Sequence, residues 1–243
     1  MVRSIQRAFL CLEALSGSQR SSMSIVEIAR VTDLDKATVS RIMKTLVELG
    51  YADYLPSQRA YRLTPRMLCI GSRTLDAQWA SERIRGIMCE LAAEFGETVN
   101  LGVLNGHQVV YVDKIESSFS VRAELTVGKS IPMWCTGLGK AILSHRPDLV
   151  DEIAGEIRPI TSTTLGTVEE LEHDLEQVRS RGYAIDYEEY VPGMVCIAVP
   201  LLDATGRVEA AISVAGLIMR LSEESAHAIG RKMVSMIGGR EFL

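Results

Sequence analysis

Apolar residues recur at helical spacing three times within the first fifty positions of the chain. Ile5, Phe9, Leu12 and Leu15 form one stripe, with Ser4 placed to cap it and Gly17 to end it. Ile25, Ile28 and Ala29 form a second, opened by Ser24 and Glu27 at capping-box spacing. The connection VTDL, 31–34, leads to a third stripe through Val39, Ile42, Met43 and Leu46, with Asp35 as its N-cap. A helix, a tight turn and a second amphipathic helix make a helix-turn-helix. YADYL and YRL then flank the turn PSQRA, and Tyr51, Tyr54 and Tyr61 favour strand, predicting a hairpin wing with Arg59 at its tip.

Beyond the wing, Pro65 suits the first turn of a helix. A stripe from Leu75 to Phe95 through Trp79, Ile84, Ile87, Met88 and Leu91 predicts a long helix. It reads equally as a core helix of a second domain or as a linker helix that dimerises. From residue 97 the period shortens: ETVNLGVL and QVVYVDKI flank an Asn-Gly turn, a strong hairpin signal. FSVRAEL reads as a further strand, TGLGKAILSHR as a helix beginning after Gly137, and PDLVDEIAGEI as helical continuation. Thr167 and Glu170 repeat the capping box ahead of VEELEHDLEQVRSRG. GYAIDYEEY, MVCIAVPLL and VEAAISVAG read as strands, with DATG (203–206) turning between the last two and a final helix from about Ser222. Antiparallel strands with helices between them predict an α+β fold.

Composition narrows the class. The 243 residues are 47% hydrophobic and 23% charged, as in soluble globular chains, and suffice for two domains. The longest apolar runs, MVCIAVPLL and AAISVAGLIM, are about half a membrane helix, so no membrane association is expected. Gln6, Arg7 and Glu13 interrupt any signal-type stretch, and a cytoplasmic location follows. The five cysteines include no CxxC pair and the four histidines no HxxxH pair. No metal and no cofactor is therefore expected.

Charge changes the picture more. Residues 1–73 hold 11 Lys and Arg against 6 Asp and Glu, a balance of +5 within a chain whose net charge is −5. The remainder therefore carries −10, and such a split points to a nucleic-acid-binding segment. The polar side of the third helix now has a use beyond solvation. A helix entering the major groove needs short residues for close approach and donors for base edges and phosphates. Ala37, Thr38 and Ser40 supply the first, and Lys36, Arg41 and Lys44 the second. Arg59 on the wing can reach the backbone or minor groove, and Ser24 at the start of the second helix is counted with this DNA-facing set.

Other chemistry finds less support. GLGK suggests a phosphate loop, but Trp134 stands where a glycine is needed and Ala141 where Ser or Thr is needed. Its glycines more plausibly allow close backbone approach at a helix N-terminus, where free amides favour an anion. Asp186, Glu188 and Glu189 have no partner acid, base or metal nearby in sequence, and Cys196 behaves best as a small buried hydrophobe.

Four ordered blocks carry a family resemblance: SIVEIARVTDLDKATVSRIMKTLVELGYADYLPSQRAYRLTPR, GHQVVYVDKIES, VGKSIPMWCTGLGKAILS and RGYAIDYEEYVPGMVCIAVPLLDATGRVEAAISVAG. Over nearly its whole length the chain resembles the IclR family of bacterial transcription regulators. The resemblance implies a winged helix-turn-helix at 1–64, a linker helix at 65–80 and a GAF-like effector-binding domain with an antiparallel sheet at 81–243. It implies a homodimer or dimer of dimers on pseudo-palindromic double-stranded operator DNA, with repression the favoured output. It also implies a small-molecule effector, a carboxylate or aromatic compound. Its pocket positions fall on Trp134, Gly137, Leu138, Asp186, Met194, Cys196 and Ser213. The amides of Gly137 and Leu138 would hold a carboxylate, Asp186 and Ser213 polar substituents, with Met194 and Cys196 as apolar wall. Ala215 and Gly216-Leu217 depart from the family's usual Ser and Gly-Pro, and Trp134 stands where His or Tyr is frequent, favouring a more apolar effector. Two rival readings remain at this point. One is a small-molecule-handling enzyme with a fused winged helix, centred on Cys196 and Asp186; the other is a winged helix that makes only protein contacts.

Overall fold

The computed structural model describes residues 2–18, 20–76, 82–123, 125–202 and 206–237. The chain divides into two compact units, Met1–Ala77 and Gln78–Leu243.

The first unit opens with α1 (Arg3–Ser16), α2 (Ile25–Thr32) and α3 (Lys36–Glu48). The inner face of α1 is Cys11, Ala14 and Leu15, whereas Ile5 and Phe9, expected inside, are more than half exposed. They lie on a flank that this unit does not cover. At α2 the capping box forms as read: Ser24 N donates to Glu27 Oε2 at 2.8 Å, and Glu27 N donates to Ser24 Oγ at 3.3 Å. The helix continues through Thr32, two residues into the expected connection, and Asp33 makes the turn in the left-handed region at φ 54°. Asp35 caps α3, its carboxylate accepting the Thr38 amide at 2.8 Å. Val39 and Met43 are fully buried beneath it.

The wing consists of β1 (Ala52–Leu55) and β2 (Ala60–Leu63), antiparallel with Ala52 opposite Leu63. Met23 exchanges backbone hydrogen bonds with Tyr61 at 2.8 and 2.7 Å, tying the wing to the segment before α2. Helix α4 (Arg66–Asp76) follows Pro65 directly.

The second unit starts with α5 (Glu82–Phe95), which buries Ile84, Ile87, Met88 and Leu91. The continuous helix expected from Leu75 crosses 77–81, so its middle, Trp79 included, lies outside the described residues. Then come β3 (Thr98–Asn105), β4 (Gln108–Ile115), β5 (Ser130–Pro132), α6 (Gly137–Leu143) and α7 (Pro147–Ile153), which runs into a 3-10 turn at Ala154–Glu156. They are followed by α8 (Val168–Arg181), β6 (Ala184–Tyr187), β7 (Met194–Leu202), β8 (Val208–Leu217) and α9 (Glu223–Ile237). The strands form one sheet in the order β5-β4-β3-β8-β7-β6, with every neighbouring pair antiparallel.

Two expectations are corrected here. The described residues of FSVRAEL form no strand, because β5 occupies the free edge of β4, with Gln108 opposite Pro132. The strand expected over GYAIDYEEY stops at Tyr187, where Glu188 turns the chain at φ 62°. The DATG turn falls largely on 203–205, outside the described residues.

Alternation divides the sheet between two cores. Val195, Ile197, Val199 and Leu201 of β7 face one core with α5 and α9 residues. Ala198, Ala184 and Ala211 belong to the other, with α6, α7 and α8 residues. Period two along β7 therefore puts Met194 and Cys196 on the α6 side.

Candidate functional site

On α3, Lys36, Ala37, Arg41 and Lys44 are exposed and Ser40 is half-buried. Thr38 is only 7% exposed: its Oγ1 lies 3.5 Å from Arg41 Nη2, beneath the outward face rather than on it. The Ser24 hydroxyl is already engaged, donating to Glu27 Oε2 at 2.8 Å within its capping box. Arg59 stands exposed at the wing tip at φ 49°. On the wing, Arg62 is paired with Asp53 at 3.0 Å. By contrast, Lys36, Arg41, Lys44 and Arg59 form no ion pair among the described residues. Four cations outside any ion pair, on one helix and the neighbouring wing, suit a polyanion. Thr45, exposed one turn after Arg41, belongs to the same face and was missed, although its i+4 spacing carried the signal.

A second site lies under α6. Register aligns Asp186 of β6, Cys196 of β7, Ala215 of β8 and Thr98 of β3 in one row across the sheet. The next row holds Ala184, Ala198, Ser213 and Asn100. Helix α6 seats on these rows because its glycines have no side chain. A Cβ on Gly137 would stand 2.9 Å from the Cys196 carbonyl oxygen, and one on Gly139 2.2 Å from that of Met133. GLGK is thus a close-approach element.

Leu138, Asp186, Met194 and Cys196 converge on one pocket, joined by Tyr111, Ile131, Tyr190 and Val191. The last four escaped the sequence reading. Tyr111 was legible as a residue of the predicted hairpin, but nothing in sequence paired it with β6 and β7. Three expected members stand apart. Trp134 is buried elsewhere, its indole donating to the Arg158 carbonyl at 3.3 Å. Ser213 and Gly137 both sit against Cys196, outside the pocket lining. The pocket leaves about 20 Å³ of free volume, room for about one water molecule, so a larger ligand requires its walls to part.

Asp186 is 7% exposed, its Oδ1 accepting the amides of Glu189 at 2.8 Å and Tyr190 at 3.4 Å. Burial, then the Glu189 charge, pushes its carboxyl up to about 7. Burial likewise pushes the Cys196 thiol up to about 12, leaving it protonated. Behind the pocket, Lys140 Nζ lies 2.5 Å from Glu189 Oε1 and 2.8 Å from Asp174 Oδ2. Burial opposes its charge, but the two carboxylates outweigh that and hold its pKa above the ordinary lysine value. Among the described residues no cluster of three or more His, Cys, Asp or Glu could hold a metal, and no helix is long and apolar enough to cross a membrane.

Comparison with known proteins gives these features a setting. The profile of the IclR helix-turn-helix domain matches residues 4–56, and that of the bacterial transcriptional regulator IclR C-terminal domain matches 73–236. The HTH-type transcriptional regulator BhcR of Paracoccus denitrificans is 34% identical over 96% of this chain and 84% of its own. The transcriptional repressor IclR of Escherichia coli is 27% identical over 96% and 86%. The crystal structure of an IclR homolog from Microbacterium hydrocarbonoxydans, complexed with 4-hydroxybenzoate, superposes with a TM-score of 0.75 at 21% identity over 96% and 97%. With a basic third helix and wing in one unit and a sheet-borne pocket in the other, the chain belongs to the IclR family of bacterial transcription regulators.

Proposed function

We propose that the first unit binds a pseudo-palindromic operator through α3 and the wing, and that the second binds a small organic acid which changes operator affinity. The carrying observation is the set of cations with no ion pair among the described residues, Lys36, Arg41, Lys44 and Arg59, on the exposed side of the helix-turn-helix unit. Ala37, Ser40 and Thr45 between them are small enough for the helix to enter a groove. We read 1–64 as the DNA-binding domain, 65–80 as the linker and 81–243 as the effector domain, working in the cytoplasm. The division after Ala77 falls inside that linker.

Three further points follow the same logic. Val2 ahead of α1, Ile5 and Phe9 of α1 and Leu68 and Ile70 of α4 are exposed apolar residues, which a second copy of the chain would cover in a homodimer or dimer of dimers. A two-fold dimer sets paired recognition helices roughly 34–36 Å apart, hence a pseudo-palindromic site. Repression is the output favoured, in keeping with the relative named a repressor. The enzyme reading centred on Cys196 and Asp186 is disfavoured. The thiol is half-buried and held protonated, and among the described residues no histidine lines its pocket to take the proton.

Footprinting on the chain's own upstream DNA, with and without a library of organic acids, tests the proposal. The expected result is a protected pseudo-palindrome whose affinity one acid shifts by about 5- to 150-fold, a coupling of roughly 1–3 kcal/mol. Binding that ignores salt and protects no symmetric site would overturn it.

A further inference from the structure

The pocket under α6 is polar but carries no cation: no lysine, arginine or histidine among the described residues lines it. Its polar groups are the Asp186 carboxyl, the Thr136 hydroxyl, the Cys196 thiol and the phenols of Tyr111 and Tyr190.

The groups around Asp186 come from every element packed on it. Strand β7 sets Cys196 directly opposite, and the turn after β6 supplies Glu189 and Tyr190. Strand β4 brings Tyr111 and the segment before α6 brings Cys135, both held protonated by burial. Helix α6 brings Lys140 and α8 brings Asp174. Lys140 alone among these is positive, and it is shared between Glu189 and Asp174. The surroundings of Asp186 are thus already balanced toward negative charge. An ionised Asp186 beside a buried effector carboxylate would put two like charges in one closed, weakly screened space.

Asp186 has an arrangement that avoids this. Its Oδ1 is taken by two backbone amides, whereas no hydrogen bond reaches Oδ2 among the described residues, and the side chain lines the pocket. Oδ2 is the oxygen placed to carry a proton toward a ligand.

We propose that Asp186 recognises the effector as a protonated acid, Oδ2–H donating to one carboxylate oxygen, so that the anion enters with one proton taken from solution. The proposal rests on the reading of the second unit as a carboxylate sensor. Two carboxyl groups sharing one proton is the established solution when both must be buried together. It makes the pocket selective for carboxylates over amines. Because the free carboxyl already titrates at about 7, the linkage falls in an accessible range. Affinity is level below that pH and falls about tenfold per pH unit above it, until the pKa of the complex is reached.

The test is calorimetric titration of the full chain with 4-hydroxybenzoate and a panel of aliphatic and aromatic monocarboxylates. Each is run at about pH 5.5 and about pH 8 in two buffers of different ionisation enthalpy. The expected result is close to one proton taken up per ligand at the higher pH and close to none at the lower. Asp186→Asn, checked for its melting transition, is expected to bind without proton uptake and with level pH dependence. Binding by the unmodified chain with no buffer-dependent heat at the higher pH overturns the proposal while leaving the sensor reading intact. Proton uptake that persists in Asp186→Asn assigns the proton to another group and overturns it as well. If the variant fails to fold, the proton count of the unmodified chain decides. Failure of every acid to bind at either pH overturns the sensor reading itself, and this proposal with it.

Discussion

Lys140 sits at 1% exposure with Asp174 and Glu189 as its partners, so removing it strands two carboxylates in the interior. Lys140→Met is expected to cost about 3–5 kcal/mol, the usual penalty for breaking a buried pair from one side. Urea denaturation checks this, and a loss below about 1 kcal/mol would contradict the pairing. Asp186 behaves in the opposite sense. Its folded carboxyl titrates at about 7, above the unfolded value near 3.8. The stability it contributes is complete at pH below the unfolded value and is lost as pH rises toward the folded one. Asp186→Asn is therefore expected to melt higher than the unmodified chain at about pH 8 and to lose that advantage near pH 4. Each pH unit between the folded and unfolded values is worth about 1.4 kcal/mol. Melting curves that run parallel across the range would contradict it. Neither role was readable from the sequence: GLGK and IDYEEY are separated by more than forty residues, and only the folded sheet and α8 bring Lys140 to Glu189.

Among the elements, local chemistry was legible and partner choice was not. The capping boxes at Ser24–Glu27 and Thr167–Glu170 and the Asp35 cap all formed, since each needs only residues within one turn. The hairpin of β3 and β4 formed too, but its turn residues are Gly106 and His107, with Asn105 paired to Gln108 in the ladder rather than in the turn. The misreadings turned on long-range competition. FSVRAEL alternates like a strand but lost the edge of β4 to Ser130–Pro132, and the apolar stripe of α1 finds only part of its cover within its own unit. Thr38, small and polar, is expected on the reading face, yet the helix angle turns it inward. In the pocket, Leu138, Asp186, Met194 and Cys196 were named from resemblance, while Tyr111 and Tyr190 depended on tertiary pairing. Helix α6 gives a sharp test of its own. Gly139→Ala would bring Cβ to 2.2 Å from the Met133 carbonyl oxygen, so α6 and the segment that leads from β5 into it must move apart. A loss of several kcal/mol in thermal unfolding is expected. An unchanged melting temperature would show that the approach is not needed.

At the scale of the whole molecule, the charge split of +5 over residues 1–73 against −10 over the rest agrees with the proposed division, in which the polyanion meets the first unit. An effector can move operator affinity only as far as it binds two conformations differently, and a pocket with about 20 Å³ free must open to admit one. The most direct measurement is fluorescence anisotropy of the chain on its own upstream DNA across a salt series, for the unmodified protein and for Arg41→Glu and Lys44→Glu. The expected result is binding that weakens steeply with salt in the unmodified protein and loss of binding in both variants, with the melting transition of the second unit unchanged. Retention of full affinity and salt dependence by both variants would contradict the assignment of α3 as the helix that meets DNA.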